Sequence, residues 1–317
     1  MSWQRLLPKR VFVDEYVGLS TRLEALAMAF LISEYHGHEV CLDWTELDAL
    51  HIIGTTQRSR GVLGRLDSVK LRGHADDEWL RIGAHRNVCL RTHRGPPQML
   101  SRLYLPTARR VKLRPDLVDS IERALLPYGE RPVIGVHIRR GDFRLVSPDS
   151  FDVRATEWPA VPDWWYEHAM GMLQKRHPDA AFLVACTGSL DDHPWLKKNF
   201  DVFEVPTSSP YDYKGPDHGS RRHPAADLFA LGCCNVIVGT SCSTFSHYAA
   251  HMLGQPSTVL VPPAQCITRD QARIAKVSLY GRGAHDWYAA CRTGRDAAPV
   301  NSDDDVPLAL PPRFDWL

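Results

Sequence analysis

Val133-Ile-Gly-Val-His-Ile-Arg-Arg-Gly-Asp142 opens on six residues with no charge and then turns, through two arginines and a glycine, to an aspartate. A mainly apolar run of that length, bounded by turn residues, suits a strand covered on both faces of a parallel sheet. The chain beyond it keeps the same alternation. Asp163–Arg176 reads as a helix with Trp165, Ala169 and Met172 on one face, and Ala181–Cys186 as a strand. Pro194–Phe200 reads as a short helix, Val202–Val205 as a strand and Pro224–Cys233 as a helix. Val236–Val238 is a strand, Thr244–Leu253 a helix and Thr258–Val261 a strand. Strands alternating with helices predict a doubly wound, Rossmann-like domain.

Upstream, Arg10–Asp14 reads as a strand, Ser20–His36 as a helix closed by Gly37, and Val40–Trp44 as a second strand. That is a β-α-β unit, the sign of another parallel sheet. Leu50–Gly83 is polar and lacks a period; Asn87–Thr92 reads as a strand and Pro115–Leu126 as a helix. Pro127 to Pro132 carries two prolines and a glycine and reads as a linker. The expected domains are therefore 1–127, 128–282 and a tail from 283 to 317 lying back over the junction. The tail holds Ser302-Asp-Asp-Asp305 and Pro311-Pro312.

At 317 residues the chain has room for two ordinary domains. A net charge of +1 argues against a general nucleic-acid binder, which needs a large cationic excess. Arg58, Arg60, Arg65, Arg72, Arg81, Arg86, Arg91 and Arg94 form one local basic stretch, read as a solvated face or a groove for an anionic acceptor. No run of about 18 apolar residues exists to span a membrane, and the N-terminal stretch has no signal-like apolar core. The eight cysteines show no CxxC spacing and several sit in apolar segments, so they read as reduced thiols in a cytoplasmic protein. No metal or cofactor is expected.

In an open parallel sheet, ligands bind outside the carboxyl ends of the strands. Two features fall there. His137 and Arg139 share a face of an extended strand, and Arg140, Gly141 and Asp142 turn off its end. A guanidinium at that edge can fork onto a phosphate, or Arg139 or Arg140 can simply pair with Asp142. Gly135 would let a ligand or a helix approach closely. The second feature, Val238-Gly-Thr-Ser-Cys-Ser-Thr-Phe-Ser-His-Tyr-Ala-Ala250, is a strand, a hydroxyl-rich loop and a helix start. Such a start is either an anion site or an ordinary N-cap. His247 and His251 read as packing and surface residues, since no Glu lies between them in a metalloprotease pattern. Together the two features suggest a two-sided clamp for a diphosphate.

His137-Ile-Arg-Arg-Gly-Asp142 resembles the first signature of the α1,2-/α1,6-/protein-O-fucosyltransferase superfamily. Ser241-Cys-Ser-Thr-Phe-Ser246 with Tyr248-Ala-Ala250 is similar to its later Ser-x-Ser-x-Phe-Ser-Trp-Trp-x-Ala signature. Val17-Gly-Leu-Ser-Thr-Arg-Leu23 resembles its opening Gly-Leu-Gly-Asn-Arg-Leu. The resemblance implies an α/β protein of the GT-B fold, two Rossmann-like doubly wound domains facing across a cleft. It implies an inverting, metal-independent transfer of fucose from GDP-fucose to a hydroxyl on a glycan, peptide or small-molecule acceptor. On the donor side it implies Arg139, with Arg140 and Asp142 beside it, for the diphosphate, His137 near base and ribose, and Ser243, Thr244 and Phe245 in the phosphate-side loop. Asp227 matches the carboxylate that reads guanine, whose N1–H and N2–H₂ are adjacent donors; alone, it reads equally as a first-turn helix carboxylate. Asp14 and Glu15 are the candidate general bases, after the first strand. The sequence departs from the pattern at Ser20-Thr21, at His247-Tyr248 in place of Trp-Trp, and at Cys186-Thr-Gly-Ser189, with Asp191-Asp192 displaced. A GT-B enzyme using another GDP- or UDP-sugar, or an inactive sugar-nucleotide-binding module, would fit those departures.

Overall fold

The computed structural model describes residues 8–61, 68–72, 81–206 and 223–317, and Arg65 of the basic stretch lies outside them. The chain divides into two units, Met1–Lys112 and Leu113–Leu317. In the first, β1 (Arg10–Asp14) buries Val11, Phe12 and Val13 on both faces, as a central strand must. It leads into α1 (Leu19–His36), which ends at left-handed Gly37 (φ +69°). Then come β2 (Glu39–Asp43), β3 (Leu50–Ile52), β4 (Thr56–Gln57), β5 (Ser68–Leu71) and β6 (Asn87–Leu90). The short helices α2 (Pro97–Leu100) and α3 (Tyr104–Ala108) follow, and β7 (Val111–Leu113) reaches the division. The main sheet has the order β4-β2-β1-β6-β5 and every pairing in it is parallel. α1 is buried without a break from Arg22 to Ile32. Arg22 and Glu46 form an ion pair at 2.8 Å with both side chains almost wholly buried.

The second unit begins with α4 (Pro115–Leu125), then β8 (Val133–Ile138), β9 (Ser150–Phe151), α5 (Asp163–Arg176) and β10 (Ala181–Cys186). It continues through α6 (Pro194–Asn199), β11 (Val202–Phe203), α7 (Pro224–Gly232), β12 (Val236–Val238), α8 (Thr244–Met252) and β13 (Thr258–Val261). It closes with β14 (Ile267–Thr268), β15 (Ile274–Val277), α9 (Ala284–Thr293) and β16 (Ala297–Val300). The sheet order is β11-β10-β8-β12-β13-β15-β16. Its pairings are parallel from β11 to β13 and antiparallel from β13 to β16. All six residues of β8 are buried, matching its unbroken apolar reading. Gly135 lets a helix pack closely there: a Cβ would lie 2.9 Å from Leu231 Cδ2 of α7 and 3.3 Å from Ile237 Cγ1.

Two expectations about boundaries change. The units divide before α4, fifteen residues ahead of Pro127, because α4 packs on α7 of the second unit. The stretch from Pro127 to Pro132 is a turn between α4 and β8 within that unit. Residues 283–317 are also part of the second unit, not a separate tail. They supply α9 and the edge strand β16, and the last segment is pinned by backbone bonds. Val133 N donates to Leu310 O at 3.1 Å, Arg313 N donates to Cys233 O at 2.9 Å, and Trp316 stacks on Phe229. All eight cysteines are free thiols, and only Cys266 is exposed. Among the described residues no helix is long and apolar enough to cross a membrane.

Candidate functional site

β8 is flanked by β10 on one side and β12 on the other, so the chain reverses its winding direction between β8 and β12. The carboxyl ends of two strands at such a switch point are where an open α/β sheet holds its ligand. There the structure brings His137, Arg139, Thr240 and Ser246 together.

Thr240 ties the two strand ends. Its hydroxyl donates to His137 O at 2.9 Å and accepts from Arg139 N at 3.0 Å. Tyr166 of α5 places its own hydroxyl 3.0 Å from His137 O and 2.9 Å from the Thr240 oxygen. The turn that sets Arg139 is thus fixed by buried polar contacts, which are stronger away from water. His137 is 5% exposed, has Nδ1 2.7 Å from Ser246 Oγ and stacks on Phe245 at 4.9 Å. Burial, aided by the Arg139 charge, pushes its pKa down to about 3, so the imidazole is neutral. Gly239 permits this approach, since a Cβ there would lie 2.6 Å from Val259 Cγ1 and 3.1 Å from Ser246.

The two arginines part company. Arg140 is committed: Nη1 donates to Arg139 O at 3.1 Å and Nη2 to Asp163 Oδ1 at 2.6 Å. Arg139 donates Nε to Asp142 Oδ1 at 2.8 Å. Neither Nη of Arg139 has a hydrogen-bond partner among the described residues. Asp142 thus fixes one edge of the Arg139 guanidinium.

Opposite lies the start of α8. Ser243 N donates to Thr240 O at 3.3 Å, closing a turn whose third residue, Cys242, has φ +59°. That left-handed position usually takes glycine, and a cysteine there stores strain of the kind held at ligand clamps. Ser243 is the N-cap residue, yet its side chain makes no capping hydrogen bond. Helix-start amides that lack a side-chain cap are a ready anion site. Thr244 and Phe245 follow in the first turn. Ser241 is wholly buried and its hydroxyl has no partner among the described residues. A buried unsatisfied hydroxyl costs about 1–3 kcal/mol. Ser241→Ala is therefore expected to raise the melting temperature of the protein; a lowered one would show that the hydroxyl is satisfied.

Asp227 sits in the first turn of α7, 6% exposed, and α7 packs on α8. His223 caps that helix, its Nδ1 accepting from Ala225 N at 3.1 Å. His247 and His251, expected in part at the surface, are both buried, with His247 Nδ1 3.3 Å from His251 Nε2. Cys291 Sγ lies 3.4 Å from His247 Nε2, and Trp287 stacks on the His247 ring at 4.9 Å.

Asp14 and Glu15 belong to the first unit. Asp14 is held by Arg60 Nη2 at 2.6 Å and by the Arg91 guanidinium, which donates to Oδ2 at 3.0 Å. Arg91 also lies over the Tyr16 ring at 5.3 Å. Glu15 is exposed, and one carboxylate oxygen accepts from Thr45 Oγ1 at 2.9 Å. Tyr166 and Thr240 went unread in the sequence. Thr240 sat in a loop read for phosphate contacts, while Tyr166 is one aromatic in a helix of aromatics and carries no local signal.

Residues 113–281 match the model of glycosyl transferase family 11. The chain is 32% identical over 142 residues to galactoside 2-alpha-L-fucosyltransferase SEC1 of Bos taurus, covering 44% of this chain and 34% of that protein. The chain thus spans about a third of the length of the curated relatives it matches. Among solved structures it resembles NodZ alpha-1,6-fucosyltransferase from Bradyrhizobium, soaked with GDP-fucose, at TM-score 0.51 and 14% identity. That match covers 86% of this chain and 99% of NodZ. It also resembles a mutant of Arabidopsis thaliana FUT1 in complex with GDP, at TM-score 0.52 and 13% identity, covering 86% and 75%. At such identities the likeness is one of fold: mixed α/β with parallel sheets. The family match covers the arginine turn, the buried Thr240 network and the start of α8, and on it the chain belongs to glycosyl transferase family 11, within the fucosyltransferase superfamily.

Proposed function

We propose that the chain is a glycosyltransferase of the GT-B class that moves fucose from GDP-fucose to a hydroxyl acceptor, with inversion and without a metal. One observation carries it. Arg139 stands at the switch point with both Nη groups uncommitted among the described residues, on a turn bonded to Thr240 of the loop that leads into the uncapped start of α8. The family membership and the GDP and GDP-fucose of the structural neighbours support the same donor.

In this mechanism the acceptor oxygen attacks the anomeric carbon as its bond to the β-phosphate oxygen breaks. Charge builds on the departing GDP, and Arg139 with the first amides of α8 stabilises it. A single displacement inverts the anomeric centre. The acceptor proton passes to a carboxylate. Asp14 is already clamped by two guanidinium groups, so Glu15, with one oxygen lacking a partner among the described residues, is the better base of the two. His137, neutral and held by Ser246, would stack or hydrogen-bond near the base and ribose. Asp227 would accept from guanine N1–H and N2–H₂.

The test compares GDP with UDP by thermal shift, then follows transfer and hydrolysis of labelled GDP-fucose with and without EDTA. Stabilisation by GDP alone and EDTA-resistant transfer to one of a glycan, peptide and small-molecule panel are expected. Preference for UDP would overturn the donor, and activity restored only by added Mg²⁺ or Mn²⁺ would overturn metal independence. GDP binding with neither transfer nor hydrolysis would favour an inactive sugar-nucleotide-binding module.

A further inference from the structure

We propose that Arg292, which lies beyond the family match, is a positioning residue that braces both halves of the donor clamp from one guanidinium. The inference rests on the donor-site reading above.

Arg292 is near the end of α9. Its Nη1 donates to Val153 O at 2.5 Å and Thr156 O at 3.1 Å, and its Nη2 donates to Glu157 O. Three carbonyl dipoles converging on one point repel one another unless a cation sits among them. The planar, permanently charged fork of arginine can serve all three, which an ammonium on a flexible stem does poorly. The loop gathered this way continues directly into Trp158. Trp158 O accepts from Arg144 N at 2.9 Å, Ala160 N donates to Arg144 O at 2.9 Å, and the Trp158 and Phe143 rings lie 5.7 Å apart. Phe143 and Arg144 are the residues that follow Asp142. Arg292 therefore holds a loop that is stitched to the exit of the arginine turn.

The same guanidinium lies beside the Cys242 thiol, in the left-handed turn before α8. Strained backbone persists only where its surroundings hold it. The neighbouring positions of α9 grip α8 itself, through Cys291 against His247 and Trp287 stacked on the same ring. The helix is thus fastened to α8, and Arg292 reaches from it to the turn before α8 directly and to the exit of the arginine turn through the loop at 153–160.

The experiment measures GDP binding by calorimetry, and donor and acceptor KM with kcat, for wild type, Arg292→Ala and Arg292→Lys, alongside thermal unfolding. Misplaced binding groups cost on the order of 10²-fold. Arg292→Ala is expected to weaken GDP binding and raise donor KM by about 10- to 100-fold, leaving acceptor KM unchanged, with Arg292→Lys in between. Folded variants that bind GDP within twofold of wild type would overturn the proposal. So would a loss that only tracks the unfolded fraction, since that marks a purely structural role. If Arg292→Ala does not fold, Arg292→Lys decides by the same criterion. Wild type failing to bind GDP would instead remove the donor-site reading, independently of Arg292.

Discussion

Arg139→Ala should lower turnover with GDP-fucose by about 10²–10³-fold and weaken GDP binding, while the melting temperature barely moves. The two expectations have different sources. In the resting protein Arg139 makes one ion pair, to Asp142, with the partners 34% and 48% exposed. Pairs that open to solvent are worth about 0–1 kcal/mol, so losing this one costs little stability. In the proposed transition state the same guanidinium would face the charge gathering on the β-phosphate. A preorganised donor there is worth about 3–4 kcal/mol. Arg139→Lys tests the geometry separately: it restores charge without the fork, and should recover GDP binding better than turnover. Asp142→Asn should act in the same direction but more weakly, because it frees Arg139 from its orienting partner without removing it. Measured kcat and donor KM for the three variants decide this, and wild-type turnover in Arg139→Ala would refute the role.

The parts of the fold that could be read early were those with an unambiguous local signal. The strand at 133–138 is buried along its whole length, as its apolar run requires, and its ends fall where the residues say. The antiparallel addition to the sheet carried no such signal. β16 is Ala-Ala-Pro-Val, and a proline inside a short run reads as loop, yet an edge strand tolerates one. With β16 unread, the acidic run and the two prolines after it looked like a tail. Arg292 was invisible for a related reason: its partners are carbonyl oxygens more than a hundred residues away, and any sequence supplies carbonyls. The pair Arg22–Glu46 was equally hidden, because its partners lie 24 residues apart and nothing local marks the burial of α1 from Arg22 to Ile32. The position of Arg139 just past the end of its strand was legible, because the apolar run stops one residue before it. What no sequence pattern shows is how the charges beside it pair: Arg140 donates to Asp163 and to the Arg139 carbonyl, and Asp142 accepts from Arg139.

The buried histidines imply a marked acid sensitivity. Burial pushes His137 and His251 down to about 3, and lowers His247 well below its ordinary value, with the His251 and His137 charges opposing its protonation further. In the unfolded chain each returns to about 6.5. Between roughly pH 6.5 and pH 3 the unfolded state therefore binds protons that the folded state refuses. Their contribution to stability is complete above pH 6.5 and is lost as pH falls toward 3. Each refused proton steepens the loss by about 1.4 kcal/mol per pH unit, so three acting together would remove about 4 kcal/mol per unit. Against a typical total of about 5–15 kcal/mol, that is enough to unfold the second unit near pH 4–5. The groups around the cluster offer no relief: Arg139 is a cation, and Trp287 and the Cys291 thiol, itself kept protonated by burial, carry no negative charge. Urea midpoints measured from pH 7.5 to 4.5 should fall steeply below 6.5, with a proton uptake on unfolding of two to three attributable to these side chains. His251→Gln should take about one proton out of that slope whatever it does to the absolute stability. A midpoint that stays level from pH 7 to pH 5 would mean that the three imidazoles accept protons in the folded protein, and that His137 does not meet the nucleotide as a neutral ring.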